Sequence, residues 1–179
     1  MMKIEEIIFR ERENFNIHEY AFLKPADVIF SDEVRMFCEK NGCGMHGTSW
    51  ACPPATGSVA ECRKLCNKYK NAFIFSSVTK LESSYDIKGW RTARITHEAI
   101  TDKVVKIFRR EFKNPLILST EGCTVCKKCS YPDNPCRFPD RMYPATEGFG
   151  ILVMQQASLC NMKYNNGPET VTYFSMVFF

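Results

Sequence analysis

The sequence predicts an α+β or mixed α/β fold, a small sheet with helices packed on it and two cysteine-rich loops. Three observations predict it. A long segment carries apolar residues at helical spacing, and short runs rich in β-branched and aromatic residues flank it on both sides. Helix signals alternate with those runs, which places helices against a sheet. Residues 43–57 and 120–144 hold Gly, Pro and Cys at intervals that forbid regular structure. The chain has 179 residues with no internal repeat, low-complexity tract or obvious linker, so 1–179 reads as one domain.

The elements follow in order. Residues 1–30 are poorly patterned, with short strands expected at 21–23 and 28–30 around Pro25. A helix is expected over 31–40. Ser31 is placed to cap it, Asp32 and Glu33 suit its positive end, and Asn41-Gly42 suits a left-handed stop. Residues 43–57 (CGMHGTSWACPPATG) form an ordered loop. Ser58 and Glu61 make a Ser-x-x-Glu capping box that opens a helix to about Lys70. Residues 72–78 (AFIFSSV) read as a strand. A long helix is expected over 90–112, with Ala93, Ile100, Val104, Ile107 and Phe108 on its buried face. Residues 115–119 (PLILS) are a short buried strand that leads into the second loop. A helix is expected over 148–159, although Gly148 and Gly150 weaken its start. The run 170–179 (TVTYFSMVFF) is apolar on both faces and reads as an interior strand.

Composition excludes several classes. Hydrophobic residues at 45% and charged residues at 25% describe a folded globular chain. A net charge of +4 is too mild to argue for a nucleic-acid partner. No apolar run approaches the ~20 residues that span a bilayer. The start, MMKIEEIIFRERENFN, lacks the apolar core and cleavage site of a secretory signal, so a cytoplasmic location is expected. Ten cysteines in a reducing compartment do not read as disulfides, and metal ligation, redox chemistry or core packing remain.

Cys123, Cys126, Cys129 and Cys136 lie in GCTVCKKCSYPDNPCRFPD, a C-x2-C-x2-C-x6-C pattern. Two-residue gaps let a tight turn point successive sulfurs at one object. Three in series suit three corners of a [4Fe-4S] cubane, with the fourth thiolate further along. Tetrathiolate zinc sites more often pair two separate C-x2-C knuckles, so zinc is the alternative. The last gap is six residues, unlike that of bacterial two-cluster ferredoxins. Lys127, Lys128, Arg137 and Arg141 would offset the negative charge of a thiolate cluster, and Pro132, Pro135 and Pro139 stiffen the loop.

Cys38, Cys43 and Cys52 form the other group, around a Gly-rich loop that also holds His46 and Trp50. Their spacing matches no common zinc finger, and they read either as semi-buried thiols or as ligands of a second cluster. Three cysteines would leave one iron without a protein thiolate, to be completed by His46, a nearby cysteine or an exogenous ligand.

The other candidates have plainer readings. Cys62 and Cys66 share a helical face with Val59, Leu65 and Tyr69 and read as small packing residues. Cys160 reads as structural, His97 as a hydrogen-bonded core imidazole, and His18 is uninformative. Lys103, Lys106, Arg109 and Arg110 are the solvated face of the long helix. There is no phosphate-cradling loop, nucleophile elbow or zinc-protease helix. The C-x3-C-x2-C of radical enzymes is absent too.

Five blocks in order carry a family resemblance: Val34-Arg35 through Cys38, CGMHGTSWACPP (43–54), GCTVCKKC (122–129), PCRFP (135–139) and EGFG (147–150). Together they resemble a family of bacterial and archaeal predicted metal-binding proteins, domain of unknown function 2284. The resemblance spans most of the chain. It implies that Cys38, Cys43 and Cys52 join Cys123, Cys126, Cys129 and Cys136 as metal ligands. His46 stands where the family usually shows Tyr, and Ala145 where it usually shows Ser, so His46 reads as a local variation. The family supplies metal binding but no reaction.

The expected protein is cytoplasmic and binds one or two [4Fe-4S] clusters. It is expected to serve electron transfer or a redox step with a partner protein or small-molecule substrate, in an anaerobic metabolism, with no nucleic acid or membrane partner. Two rivals stand beside this. One is an enzyme that uses an open iron at Cys38, Cys43 and Cys52. The other is a zinc protein whose metal folds the loops for partner binding.

Overall fold

Two nine-residue strands, β2 (Ala72–Lys80) and β4 (Thr170–Phe178), make the centre of the molecule. They pair antiparallel from Ala72 opposite Phe178 to Lys80 opposite Thr170. The computed structural model describes residues 3–179; Met1 and Met2, the first two residues of the expected non-signal start, lie outside the described residues. A short strand β1 (Tyr20–Leu23) lies against β2, and β3 (Leu116–Leu118) lies against β4, giving the order β1-β2-β4-β3 with every pair antiparallel. The fold is therefore α+β, with the mixed-sheet alternative not realised.

The central strands are apolar on both faces because both faces are covered. Side chains alternate across a strand, so Phe73, Phe75 and Val177 point to one layer and Ile74, Met176 and Phe178 to the other. The first layer holds α1 (Ile4–Glu11) and α4 (Ile87–Glu111), through Ile8, Val104 and Phe108. The second holds α3 (Val59–Cys66) and α5 (Val153–Leu159), through Cys62, Cys66 and Ala157. Phe73, Phe75, Phe108 and Phe178 are fully buried, and each such side chain contributes roughly 1.5–3 kcal/mol of transfer free energy.

Several boundaries differ from expectation for local reasons. The helix α1 escapes composition because Lys3 is a poor cap, yet Ile4, Ile7 and Ile8 form a buried stripe and Glu6 accepts from the Lys3 backbone N–H at 3.3 Å. The helix α2 (Asp32–Glu39) starts behind Ser31, whose Oγ accepts from Glu33 N–H, and Asn41 turns left-handed after it (φ 53°). The Ser58–Glu61 capping box forms as read, but α3 ends at Cys66, before Lys70. The helix α4 begins at Ile87, earlier than Trp90, because Asp86 caps it by accepting from Gly89 N–H at 2.8 Å.

Two expectations are corrected. Residues 28–30 do not form a strand. A 3-10 turn at Pro25–Asp27 runs into Val28, Ile29 N–H is taken by the Gln156 side chain at 2.8 Å, and Phe30 makes a single bridge to Ile151. The helix over 148–159 is broken into a 3-10 turn at Glu147–Phe149 and the shorter α5. Gly150 takes φ 78° between them, and a β-carbon there would lie 2.7 Å from Val59. The close approach of α3 makes glycine necessary at that turn. Among the described residues no helix is long and apolar enough to cross a membrane.

Candidate metal centre

Loop 120–144 leaves β3 and is tied to α4 at both ends. Arg94 donates to the Gly122 carbonyl and bridges Glu98 at 3.2 Å and Glu121 at 2.9 Å. Further along, Arg109 donates to Asp140 O at 2.7 Å and Tyr143 OH to Asp102 at 3.1 Å. Within the loop, Ser130 Oγ donates to Pro135 O at 2.8 Å and Arg137 donates to Lys128 O. These bonds fold Cys136 back on the serial triple. Cys123, Cys126, Cys129 and Cys136 then line one small cavity, so Cys136 stays with the cysteines of its own loop. Burial pushes the Cys123 thiol up, and Cys136, Cys126 and Cys129 push the same way as near neighbours. Lys127, Lys128, Arg137 and Arg141 are exposed, and Arg137 lines the cavity.

The cavity has a lid that spacing did not reveal. Trp50, from the other loop, lines it, donates through Nε1 to Asn134 O at 3.1 Å and meets Tyr131 edge-on at 5.0 Å. Its sequence signal was only its place between Cys43 and Cys52.

Loop 43–57 is shaped by left-handed glycines, Gly44 and Gly47, and by Gly47 N–H donating to Pro53 O at 2.8 Å. It brings exposed Cys43 and buried Cys52 towards Cys38 at the end of α2. All three thiols line one end of a cleft of about 870 Å³. His46 is not among the residues that line it, and its backbone N–H donates to Asn41 Oδ1 at 2.9 Å. Burial raises Cys38, opposed by the Arg35 charge; burial also raises Cys52, opposed by the Ser49 hydroxyl beside it. Trp90, Glu121, Glu147, Tyr164 and Tyr173 also line the cleft, and the Cys38 thiol donates to Glu147 O at 3.9 Å. Tyr173 donates to Glu121 at 3.1 Å.

Whether the residues fit a metal group turns on donors and charge. Seven cysteine sulfurs gather in two sets, which is soft-ligand chemistry. The buried side-chain N and O atoms recorded without a hydrogen-bond partner among the described residues are Arg35 Nε and Ser49 Oγ, and both flank the first set. Buried donors of this kind call for an acceptor. Among the described residues, no three His, Cys, Asp or Glu side chains are already closed around a point for one metal ion. The thiols thus share cavities without meeting at a single ion.

The remaining cysteines pack. Cys62 and Cys66 lie in the core, and burial pushes Cys66 up to about 12, which keeps it an inert thiol. Cys160 is packed at the edge of the same cluster. His97 is fully buried, with Nδ1 at 2.8 Å from Ser77 Oγ and Nε2 at 2.8 Å from Ser175 Oγ, the core imidazole that its position implied.

The family described as Predicted metal-binding protein (DUF2284) matches residues 21–179. No curated protein and no solved structure matches the chain. The chain belongs to this family of predicted metal-binding proteins.

Proposed function

We propose that this metal-binding chain carries a [4Fe-4S] cluster on Cys123, Cys126, Cys129 and Cys136 and passes single electrons to or from a partner protein in the cytoplasm. One observation carries the reading: four cysteines from one short loop line one cavity beneath Trp50, with Lys127, Lys128 and Arg137 exposed in the same loop. When bound, such a cluster supplies a one-electron couple whose potential depends on hydrogen bonds, charge and exposure.

The chain's own residues do the rest. The four thiols release their protons on binding and hold the group as thiolates. Trp50 covers one side and limits water, while the Tyr131 contact and the Asn134 hydrogen bond hold the ring in place. The exposed cations offset thiolate charge and give an acidic partner a complementary surface. In this reading 1–179 works as one metal-binding domain.

The test is iron, zinc and acid-labile sulfide per chain, on protein made and kept without oxygen. About four iron and four sulfide on the loop cysteines support the reading. Stoichiometric zinc without sulfide rejects it and leaves a metal that only folds the loops for a partner.

A further inference from the structure

We infer that Cys38, Cys43 and Cys52 hold a second, separate metal centre, with Arg35 and Ser49 as its hydrogen-bond donors, and that it takes a small neutral molecule from the cleft as its remaining ligand.

The three thiols come from separate places, the end of α2, the turn after Asn41 and the residue before Pro53, yet share one end of the cleft. Two buried polar groups without a nitrogen or oxygen partner among the described residues stand beside them, the Arg35 Nε–H and the Ser49 hydroxyl, and both can donate. Arg35 precedes Cys38 by one helical turn; its terminal nitrogens reach Thr56 Oγ1 at 3.3 Å and Cys62 Sγ at 4.0 Å, and Nε–H has no partner among the described residues. Ser49 is 3% exposed and lies at the Cys52 sulfur. Neutral thiols are weak acceptors, whereas metal-bound thiolates are strong ones. Binding releases the three thiol protons to solvent and leaves anionic sulfur where these donors wait.

Three protein ligands leave a coordination position for another molecule, the pattern of sites that meet substrate. The lining of the cleft selects its charge. Arg94 is its cation, and Glu98 and Glu121 already hold it. Glu121, Glu147 and Glu169 also line the cleft, and Arg35, outside its lining, lies beside Cys38 where its charge offsets that of the thiolates, so the lining offers an incoming anion no unpaired cation. Trp90 and Tyr164 keep 44% and 48% of their surfaces exposed, and Tyr164 stacks on Phe174 at 5.8 Å. Flat unsaturated surface suits these walls. The ligand class is a neutral, flat molecule that offers one nitrogen or sulfur donor.

The inference goes beyond the loop centre and is tested apart from it. Full-length protein is prepared without oxygen as wild type, Cys43→Ser, Cys126→Ser and Ser49→Ala, and metal per chain is measured. Cys43 is exposed, so its change leaves the core untouched. Cys43→Ser is expected to lose one centre's metal and keep the other's, and Cys126→Ser to do the reverse. Imidazole at pH 8, the probe ligand, is expected to change the electron paramagnetic resonance or absorption spectrum of wild type and Cys126→Ser, but not of Cys43→Ser. Ser49→Ala should keep its metal and show a lower midpoint potential at the centre that imidazole perturbs. Unchanged metal and imidazole response in Cys43→Ser overturn the second centre. An unchanged potential in Ser49→Ala overturns the donor role, and no spectral response to imidazole in wild type overturns the open position. Loss of sulfide from the loop centre alone bears on the electron-transfer reading and leaves this inference standing.

Discussion

Gly122 and Cys52 meet where the two cysteine loops touch: a β-carbon on Gly122 would lie 3.2 Å from Cys52 Sγ and would also run into the Met45 methyl. Gly122 directly precedes Cys123, so the first ligand of one loop follows the residue that abuts a thiol of the other. The missing side chain is what lets the loops approach this closely.

Gly122→Ala tests that approach. The Met45 methyl is the end of a flexible side chain and moves aside easily, whereas Cys52 is buried and must shift by a few tenths of an ångström. Overpacking of this kind costs roughly 1–3 kcal/mol. The expected outcome is a lower melting temperature with metal retained on Cys123, Cys126, Cys129 and Cys136. An unchanged melting temperature would show that the contact is loose.

Trp50 is expected to act as a lid. Trp50→Phe removes the bond to Asn134 O, a net loss of about 1 kcal/mol, and keeps an aromatic ring against Tyr131. Trp50→Ala removes both. Metal loss to a chelator, followed by absorbance, should speed up modestly in the first and by tenfold or more in the second. Equal rates in all three proteins reject the lid.

Among single cysteine changes, Cys136→Ala should lower metal content as much as Cys126→Ala does, because both line the same cavity. Cys160→Ala and Cys66→Ala should leave metal content unaltered. The second of these should cost stability, about 1 kcal/mol or more, since Cys66 is fully buried. A metal deficit in Cys66→Ala with normal stability would contradict its packing role.

His97 sets an acid limit. Burial lowers its pKa from 6.5 to about 3, so the folded state holds a neutral imidazole. Below pH 6.5 the unfolded chain binds a proton that the folded chain refuses, and stability falls as pH drops until about 3, where the folded imidazole also protonates. The slope approaches about 1.4 kcal/mol per pH unit. Denaturant titrations at pH 4 to 7, taken as wild type minus His97→Gln, should show that slope. A flat difference would mean that the buried ring is already charged.

Much of the fold was legible because its signals are local. The Ser31 and Ser58 caps, the Asn41 stop and the apolar stripe of α4 each depend on neighbours within a few residues. Where a distant segment decides, reading along the chain misplaces the element. Val59 leaves no room for a β-carbon at Gly150, and Gln156 takes the backbone N–H of Ile29 that a strand would have needed. The same division holds at the site. C-x2-C-x2-C marks Cys123, Cys126 and Cys129, whereas Trp50 as lid, Ser49 as donor and Glu147 as cleft wall carry no spacing of their own. Arg35 and Glu147 lay within the blocks that mark the family, without an assigned role.

The sequence by itself determined the soft-ligand chemistry, the helices that cap themselves and the two-faced apolar strands, since thiol spacing, capping and hydrophobic period are properties of neighbouring residues. Only the tertiary structure decided that every strand pair is antiparallel, that Cys136 stays with its own loop and that Cys52 abuts Gly122. Those facts arise from contacts between segments far apart in the chain, where side-chain volume and the packing of the two layers select one arrangement from many that the local signals allow.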